Sequence, residues 1–381
     1  MLYDAKWSKN DQTKILSRND MEHVLPEWED LCGRLAEDTP YYTPTYANAL
    51  LSSIDHDRDI RFATVWRDAR MIAMLPICRT RIGAVDLPNV WQAWTTPYTL
   101  GCTPLLDRDL AGQAALALVE GLKAFHRGIW IIPTINTGGK AAGALIDALR
   151  QLDASISETG QFERAVLRRD GTTFDEHLNE KLSGKRRRDL ARNRRRLEKL
   201  GELKHVVSTG GDGLANAVEA FLDIEKSGWK GARGTALACD PGTAEFARNA
   251  FSPIGVEDVG RADVLMLDGK PIAVSLMIMT GRTGFTIKCA YDEEYRSYST
   301  GLVLEIDVIR SFLSEDWADL LDSATAGSHI IDGLWSGRIE MADLIFTFSP
   351  VFPGWQLAAV TRAMDAKQQA KSRIKKLIGR K

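Results

Sequence analysis

Residues 296–301, Arg-Ser-Tyr-Ser-Thr-Gly, stand directly before an apolar run over 302–313. A turn of small residues that opens a helix leaves backbone amides unpaired and pointing one way, and the helix dipole adds partial positive charge. Such a place holds a phosphate. Groups that can move a proton are spread around it. Glu225 stands four residues before Trp229 and five before Lys230. Asp292 follows a strand-like run that ends at Tyr291. Asp322 ends another, at the position where α/β sheets tend to place their sites. His329 lies on the small-residue loop just after it. Carboxylates and histidine are the usual general bases. Lys288 is a lone lysine among apolar residues; burial penalises an unpaired ammonium, so it should reach a carboxylate or a phosphate. Each group also has a structural reading: Glu225 and Lys230 as a helix-end ion pair, Asp322 as a cap, His329 as a surface residue. No GxSxG run and no metal-ligand cluster occurs, so neither a serine nucleophile nor a metal is indicated.

The elements that must position these groups are legible around them. Residues 261–267 and 271–279 flank Asp268-Gly269-Lys270, and Asp-Gly between two apolar runs signals a hairpin. Residues 284–291 read as a third strand, with Phe285, Ile287, Cys289 and Tyr291 on one face. The run 302–313 is apolar nearly all round, which predicts a buried helix. A strand over 317–322 and a closing strand over 344–348 follow. Upstream, 214–226 reads as a helix running into Gly228-Trp229-Lys230-Gly231. Asp240-Pro241 starts another, with Asp as cap and Pro at the first position.

The first half shows the same order. Residues 1–20 read as a loose arm, 22–35 as a helix, 60–65 and 71–79 as a hairpin. Next come a helix over 110–125, a strand over 129–133, a helix over 138–152 and a strand over 162–167. Asp107-Arg108-Asp109-Leu110 stands where the second half has its small-residue turn, so the first copy should have lost the phosphate site. The fold class is therefore α/β. Two similar domains, each a mixed central sheet flanked by helices, are joined by a basic helical segment. The expected boundaries are 1–170 for the first domain, 171–205 for the connector, 206–355 for the second domain and 356–381 for a tail.

A chain of 381 residues with 44% apolar residues can bury two cores. No run is long enough to span a bilayer, and the N-terminus has no apolar signal segment, so a cytoplasmic location is expected. Five scattered cysteines, with no CxxC pair, fit reduced thiols. The net charge of −2 hides an asymmetry. Residues 183–199 and 366–381 each carry +7, leaving about −16 elsewhere. The first of these predicts a helix capped by Ser183 and ended by Gly201, with Leu182, Leu190, Leu197 and Leu200 on one seam. It reads either as an arm gripping phosphates or as a solvated connector. Nucleic acid is disfavoured as a partner, because no aromatic residues are interleaved for stacking. The tail suits an amphipathic helix on an anionic membrane face, or a basic tail without that role.

Hairpin, strand, phosphate turn, helix and strand, in that order, resemble the core of the GNAT acyltransferases. Their usual turn is Arg/Gln-x-x-Gly-x-Gly/Ala. Here Arg296 and Gly301 are kept, and Ser299 replaces the middle glycine. Glu225-x-x-x-Trp229-Lys230-Gly231 and the Tyr-Ser-x-Gly form of the turn resemble the tandem-GNAT proteins of the CelD-like type, relatives of the FemABX group. The resemblance implies an N-acyltransferase that uses acyl-CoA and no metal. Tyr291, Arg296, Ser299, Thr300, Gly301 and Leu302 would then hold the coenzyme. An amide near the end of strand 287–291 would stabilise the oxyanion. Glu225, Asp322, His329 and Lys288 are the catalytic candidates, and Trp229, Lys230, Asp292, Trp335 and Arg338 would line the acceptor pocket. The expected acceptor is an amino sugar of a cell-surface or exported polysaccharide. A long-chain amine, Fem-like aminoacyl transfer and a non-catalytic nucleotide-binding regulator are the alternatives.

Overall fold

A computed structural model describes residues 11–82, 85–255, 259–325 and 329–348, with five further positions between 357 and 364. The basic tail lies outside the described residues. In chain order the first half folds as β1 (Asp11–Leu16), α1 (Arg18–Glu22), α2 (Leu25–Cys32), α3 (Pro44–Ser53), β2 (Ile60–Arg67), β3 (Arg70–Ile82), β4 (Val85–Ala93), β5 (Leu105–Leu106), α4 (Ala111–Phe125), β6 (Ile129–Asn136), α5 (Lys140–Gln151) and β7 (Ser155–Arg168). The second half continues with α6 (Phe174–Lys181), α7 (Gly184–Glu198), β8 (Leu203–Ser208), α8 (Gly211–Ser227), α9 (Trp229–Ala232), α10 (Pro241–Phe251), β9 (Gly260–Leu267), β10 (Lys270–Thr280), β11 (Thr283–Tyr291), α11 (Thr300–Ser314), β12 (Leu320–Asp322) and β13 (Gly337–Thr347).

The chain divides into two compact units. One comprises residues 1–44, 57–163 and 339–381; the other comprises 45–56 and 164–338. In the first, β1 to β4 pair as an antiparallel run, β6 joins β4 in parallel, and β13 closes on β6. The second repeats the scheme. There β8 to β11 are antiparallel, β12 joins β11 in parallel, and the end of β7 closes on β12. Each unit is thus a mixed sheet flanked by helices, with one parallel step after its fourth strand.

Local chemistry explains most elements. Asp268 and Gly269 both take positive φ (49° and 78°), as the tight turn between β9 and β10 requires. Ser183 accepts from Arg186 N–H to open α7, and Asp240 accepts from Thr243 N–H ahead of Pro241 to open α10. Residues 11–20, read as part of a loose arm, instead fall in β1 and α1. Alternation in Asp11–Leu16 is polar enough to hide a strand, which pairing with β2 from Asp11↔Arg67 to Leu16↔Phe62 secures. Gly201 does not cap α7, which ends at Glu198 with Lys199 as its C-cap. It instead allows a close approach, because a Cβ there would lie 2.0 Å from the Asp268 carboxylate.

The basic helix α7 packs within the second unit. Leu182, Leu190 and Leu197 join Val303, Val308 and Phe312 in one core cluster, at about 1.5–3 kcal/mol per buried leucine. Leu200, expected on the same seam, is exposed. Arg194 fixes α7 to α11 through both oxygens of Asp307, each at 2.7 Å.

Candidate acyl-transfer site

Tyr291 ends β11, and a short 3-10 turn over Glu293–Tyr298 carries the chain to Ser299. Ser299 adopts the left-handed conformation (φ 53°, ψ 44°), which turns the chain into α11. A glycine would do this without strain; serine costs about 1 kcal/mol. Asn193 of α7 donates to its Oγ at 3.3 Å and helps hold it there. Thr300 anchors the turn by donating to Tyr295 O at 2.8 Å. The amides of Thr300 and Gly301 precede the first acceptor of the helix. Gly301 lies against Tyr291, where an added Cβ would come within 3.3 Å of the ring.

The turn opens into a cavity of about 470 Å³, a size ordinary for a ligand site. Strand geometry explains the opening. β12 pairs with β11 only from Thr283↔Leu320 to Phe285↔Asp322, then the two part. A bulge follows in β11, since Leu276 faces Lys288 while Met277 faces Thr286. Beyond it, Asp292 N–H donates to Ile272 O of β10 at 2.9 Å. By the alternation of an antiparallel ladder, Ala290 and Lys288 also turn their amides to β10. Cys289 and Tyr291 turn theirs to the other edge, on the cavity side.

One wall comes from the end of α8. Glu225, 4% exposed, accepts from Lys230 Nζ at 2.6 Å and from Leu237 N–H at 2.8 Å. The helix breaks at Gly228, so Glu225 and Trp229 do not share a helical face. Both nonetheless line the cavity, with Trp229 half exposed and its amide bound to Glu293 Oε1 at 3.0 Å. Lys288 lies under this wall. Burial lowers its pKa, opposed by the nearby charge of Glu225.

The opposite wall belongs to α11 and holds a group the sequence reading missed. Glu305, one turn beyond Gly301, is 7% exposed, lines the cavity and accepts from Trp335 Nε1 at 2.7 Å. Burial pushes its carboxyl up to about 8; the Asp263 charge adds to this and the Trp335 bond opposes it. No cation pairs with it among the described residues. It escaped notice because Glu305 and Asp307 stand two apart in the same apolar run, and nothing local tells them apart. Cys289 was also passed over. Its side chain is exposed within the cavity, and the desolvation it meets there raises its pKa.

The cavity therefore gathers Glu225, Trp229, Lys230, Tyr291, Arg296, Ser299, Thr300, Gly301, Leu302 and His329. His329 accepts from Ile331 N–H at Nδ1 (3.4 Å), which places the proton of its neutral ring on Nε2; partial burial lowers its pKa. Five expected members do not line it, and Lys288, beneath the α8 wall, is the first of them. Asp322 is buried elsewhere, 3.6 Å from Arg164 and accepting from Ala324 N–H at 2.6 Å. Asp292 caps the 3-10 turn and pairs with Lys270 at 3.0 Å. Trp335 is wholly buried and acts on the site through Glu305. Arg338 is turned onto carbonyls, including Trp335 O at 3.0 Å.

In the first unit the segment before α4 carries a buried carboxylate instead: Asp107 pairs with Arg34 and accepts from Asp109 N–H at 2.9 Å.

No curated protein matches the chain. Solved structures that share its fold at low identity include the following three. FemX aligns with TM-score 0.57 at 11% identity, covering 90% of this chain and 98% of that one. The C-terminal domain of a putative lysylphosphatidylglycerol synthetase from Agrobacterium fabrum gives 0.53 at 14%, covering 91% and 96%. A conserved protein of unknown function from Bacteroides thetaiotaomicron gives 0.52 at 11%, covering 85% and 97%. Residues 184–323, which contain the Ser299–Thr300–Gly301 turn, the splayed strand and both cavity walls, match the family model of the acetyltransferase (GNAT) domain.

Proposed function

We propose that the protein is an N-acyltransferase that moves an acyl group from acyl-CoA to an amine. One observation carries this reading: the Ser299–Thr300–Gly301 turn opens at the start of α11 into a cavity bordered by the unpaired edge of β11. The turn suits the pyrophosphate of the donor, with first-turn amides and the dipole of α11 as its partners. Arg296, exposed beside it, adds a positive charge. The amides of Cys289 and Tyr291 suit the pantetheine arm and the thioester carbonyl, where one of them would stabilise the developing oxyanion. The amine nitrogen attacks the carbonyl carbon, the C–N bond forms, the C–S bond breaks, and the thiol leaves as CoA.

Glu305 is our choice for the proton acceptor. It lacks a cationic partner, and its raised pKa lies near the pH at which a general base works best. Glu225 is occupied by Lys230 and Leu237, and with Trp229 it forms the acceptor wall. A half-exposed tryptophan suits the face of a sugar ring, which supports an amino sugar as acceptor, and Glu225-x-x-x-Trp229-Lys230-Gly231 is the grouping on which a CelD-like subtype rests. Calorimetry with CoA and acetyl-CoA tests the donor assignment. We expect saturable binding of both; no heat at high micromolar ligand would overturn it.

A further inference from the structure

Helix α7 carries a charge pattern that its packing does not require. Lys185, Arg188, Arg192, Arg195 and Lys199 recur at three- and four-residue spacing, opposite the buried Leu190 and Leu197, and all five are exposed. Like charges at this spacing destabilise a helix, and a merely solvated face usually alternates its signs. Here only Arg192 has an acidic partner, Asp189 at 3.0 Å, among the described residues. The helix that carries the stripe also has a definite place. Asn193 touches Ser299, Arg196 lies 4.5 Å over the Tyr298 ring, and Arg186 reaches within 4.0 Å of where a Cβ on Gly333 would stand. The helix thus runs beside the cavity, from the Ile330–Gly333 turn to the phosphate turn.

The cavity mouth itself exposes large apolar surface. Trp229 is 51% and Ile330 54% exposed, and both line the cavity. Arg233 sits 5.1 Å over the Trp229 ring and adds another exposed cation. Tryptophan and aliphatic side chains beside a row of lysines and arginines match the boundary of an anionic bilayer. Each basic residue near such a surface contributes about 1 kcal/mol.

We infer that the mouth of this cavity docks on an anionic lipid surface, and that the acceptor amine is carried by a membrane amphiphile, such as a lipid-linked amino sugar or a long-chain amine. The identity of the acceptor rests on the acyl-transfer reading; the docking does not. A single donor nucleotide cannot occupy the whole stripe, because a 15-residue helix spans about 22 Å. Duplex RNA would meet the cations but leave Trp229 and Ile330 uncovered.

The test uses the full chain and sedimentation with phosphatidylcholine vesicles, with and without phosphatidylglycerol. We expect binding only to the anionic vesicles. Combining Lys185→Glu, Arg188→Glu and Arg195→Glu should weaken it at least about tenfold, with the CoA dissociation constant unchanged by calorimetry. A solvent-sensitive dye on Ile330→Cys should shift to the blue on those vesicles. Equal sedimentation of the triple variant, or no dye shift, would overturn the docking. So would a duplex RNA oligonucleotide that binds the stripe and displaces the vesicles, or a triple variant that loses CoA as well. Lost CoA binding in the unmodified chain would sink the acyl-transfer reading and with it the acceptor, while the vesicle measurements would still decide the docking.

Discussion

Trp335 Nε1 donates to Glu305 Oε1 at 2.7 Å, holding one buried carboxyl against the wall of the cavity. That bond fixes the orientation of Glu305, while burial keeps its proton. Its pKa is pushed up to about 8 from the ordinary 4.5. Between those values the folded protein holds a proton that the unfolded chain has released. Stability therefore falls as pH rises through that window. Glu305→Gln stays neutral and keeps an acceptor for Trp335. Its melting temperature should gain on the wild type progressively from about pH 4.5 to about pH 8. Parallel melting curves across that range would contradict the assignment.

The same substitution separates a catalytic carboxyl from a structural one. With Glu305 as base, kcat/KM should rise with pH and level off above about 8. Glu305→Gln should lower kcat by about 10²–10⁴ and abolish the rising limb. A variant with normal turnover and an unchanged profile would return the role to Glu225 or His329.

Gly301 lines the cavity and lies against the Tyr291 ring. Gly301→Asp sets a negative charge where the pyrophosphate is expected and should weaken CoA about tenfold or more. Gly301→Ala only presses on Tyr291, at 3.3 Å, and should have a smaller effect. Calorimetry on both variants checks the order; an unchanged constant for Gly301→Asp would remove the phosphate-turn assignment.

Gly231 has a steric reason to lack a side chain. A Cβ there would lie 1.6 Å from Lys226 O, so Gly231→Ala must push α9 away from the end of α8. The expected cost is about 1–3 kcal/mol in urea unfolding, as for other overpacked positions. A loss of acceptor affinity should accompany it, because Trp229 and Lys230 move with α9.

Lys230→Met leaves Glu225 buried with only its Leu237 bond. The lysine is about one-third exposed, so the loss should fall below that of a fully buried pair, at about 1–3 kcal/mol. The double variant with Glu225→Gln should recover part of it. Additive losses in chemical denaturation would show that the two residues act independently.

The sequence by itself determined the local elements. Asp268-Gly269 specifies its turn because both residues tolerate positive φ, Asp240-Pro241 opens α10, and the small residues before Leu302 start α11. The repeated order of strands and helices is equally local, since each element follows from its own periodicity. What only the tertiary structure decided is which polar groups face one space. Glu305 and Cys289 enter the cavity because β11 leaves β12 after Phe285, a divergence that no local spacing encodes. Asp322 and Asp292 had suitable chemistry, but Arg164 and Lys270 hold them away from it, and Trp335 is buried behind Glu305. A carboxylate's role depends on its partners, and those partners lie far along the chain, brought close only by packing.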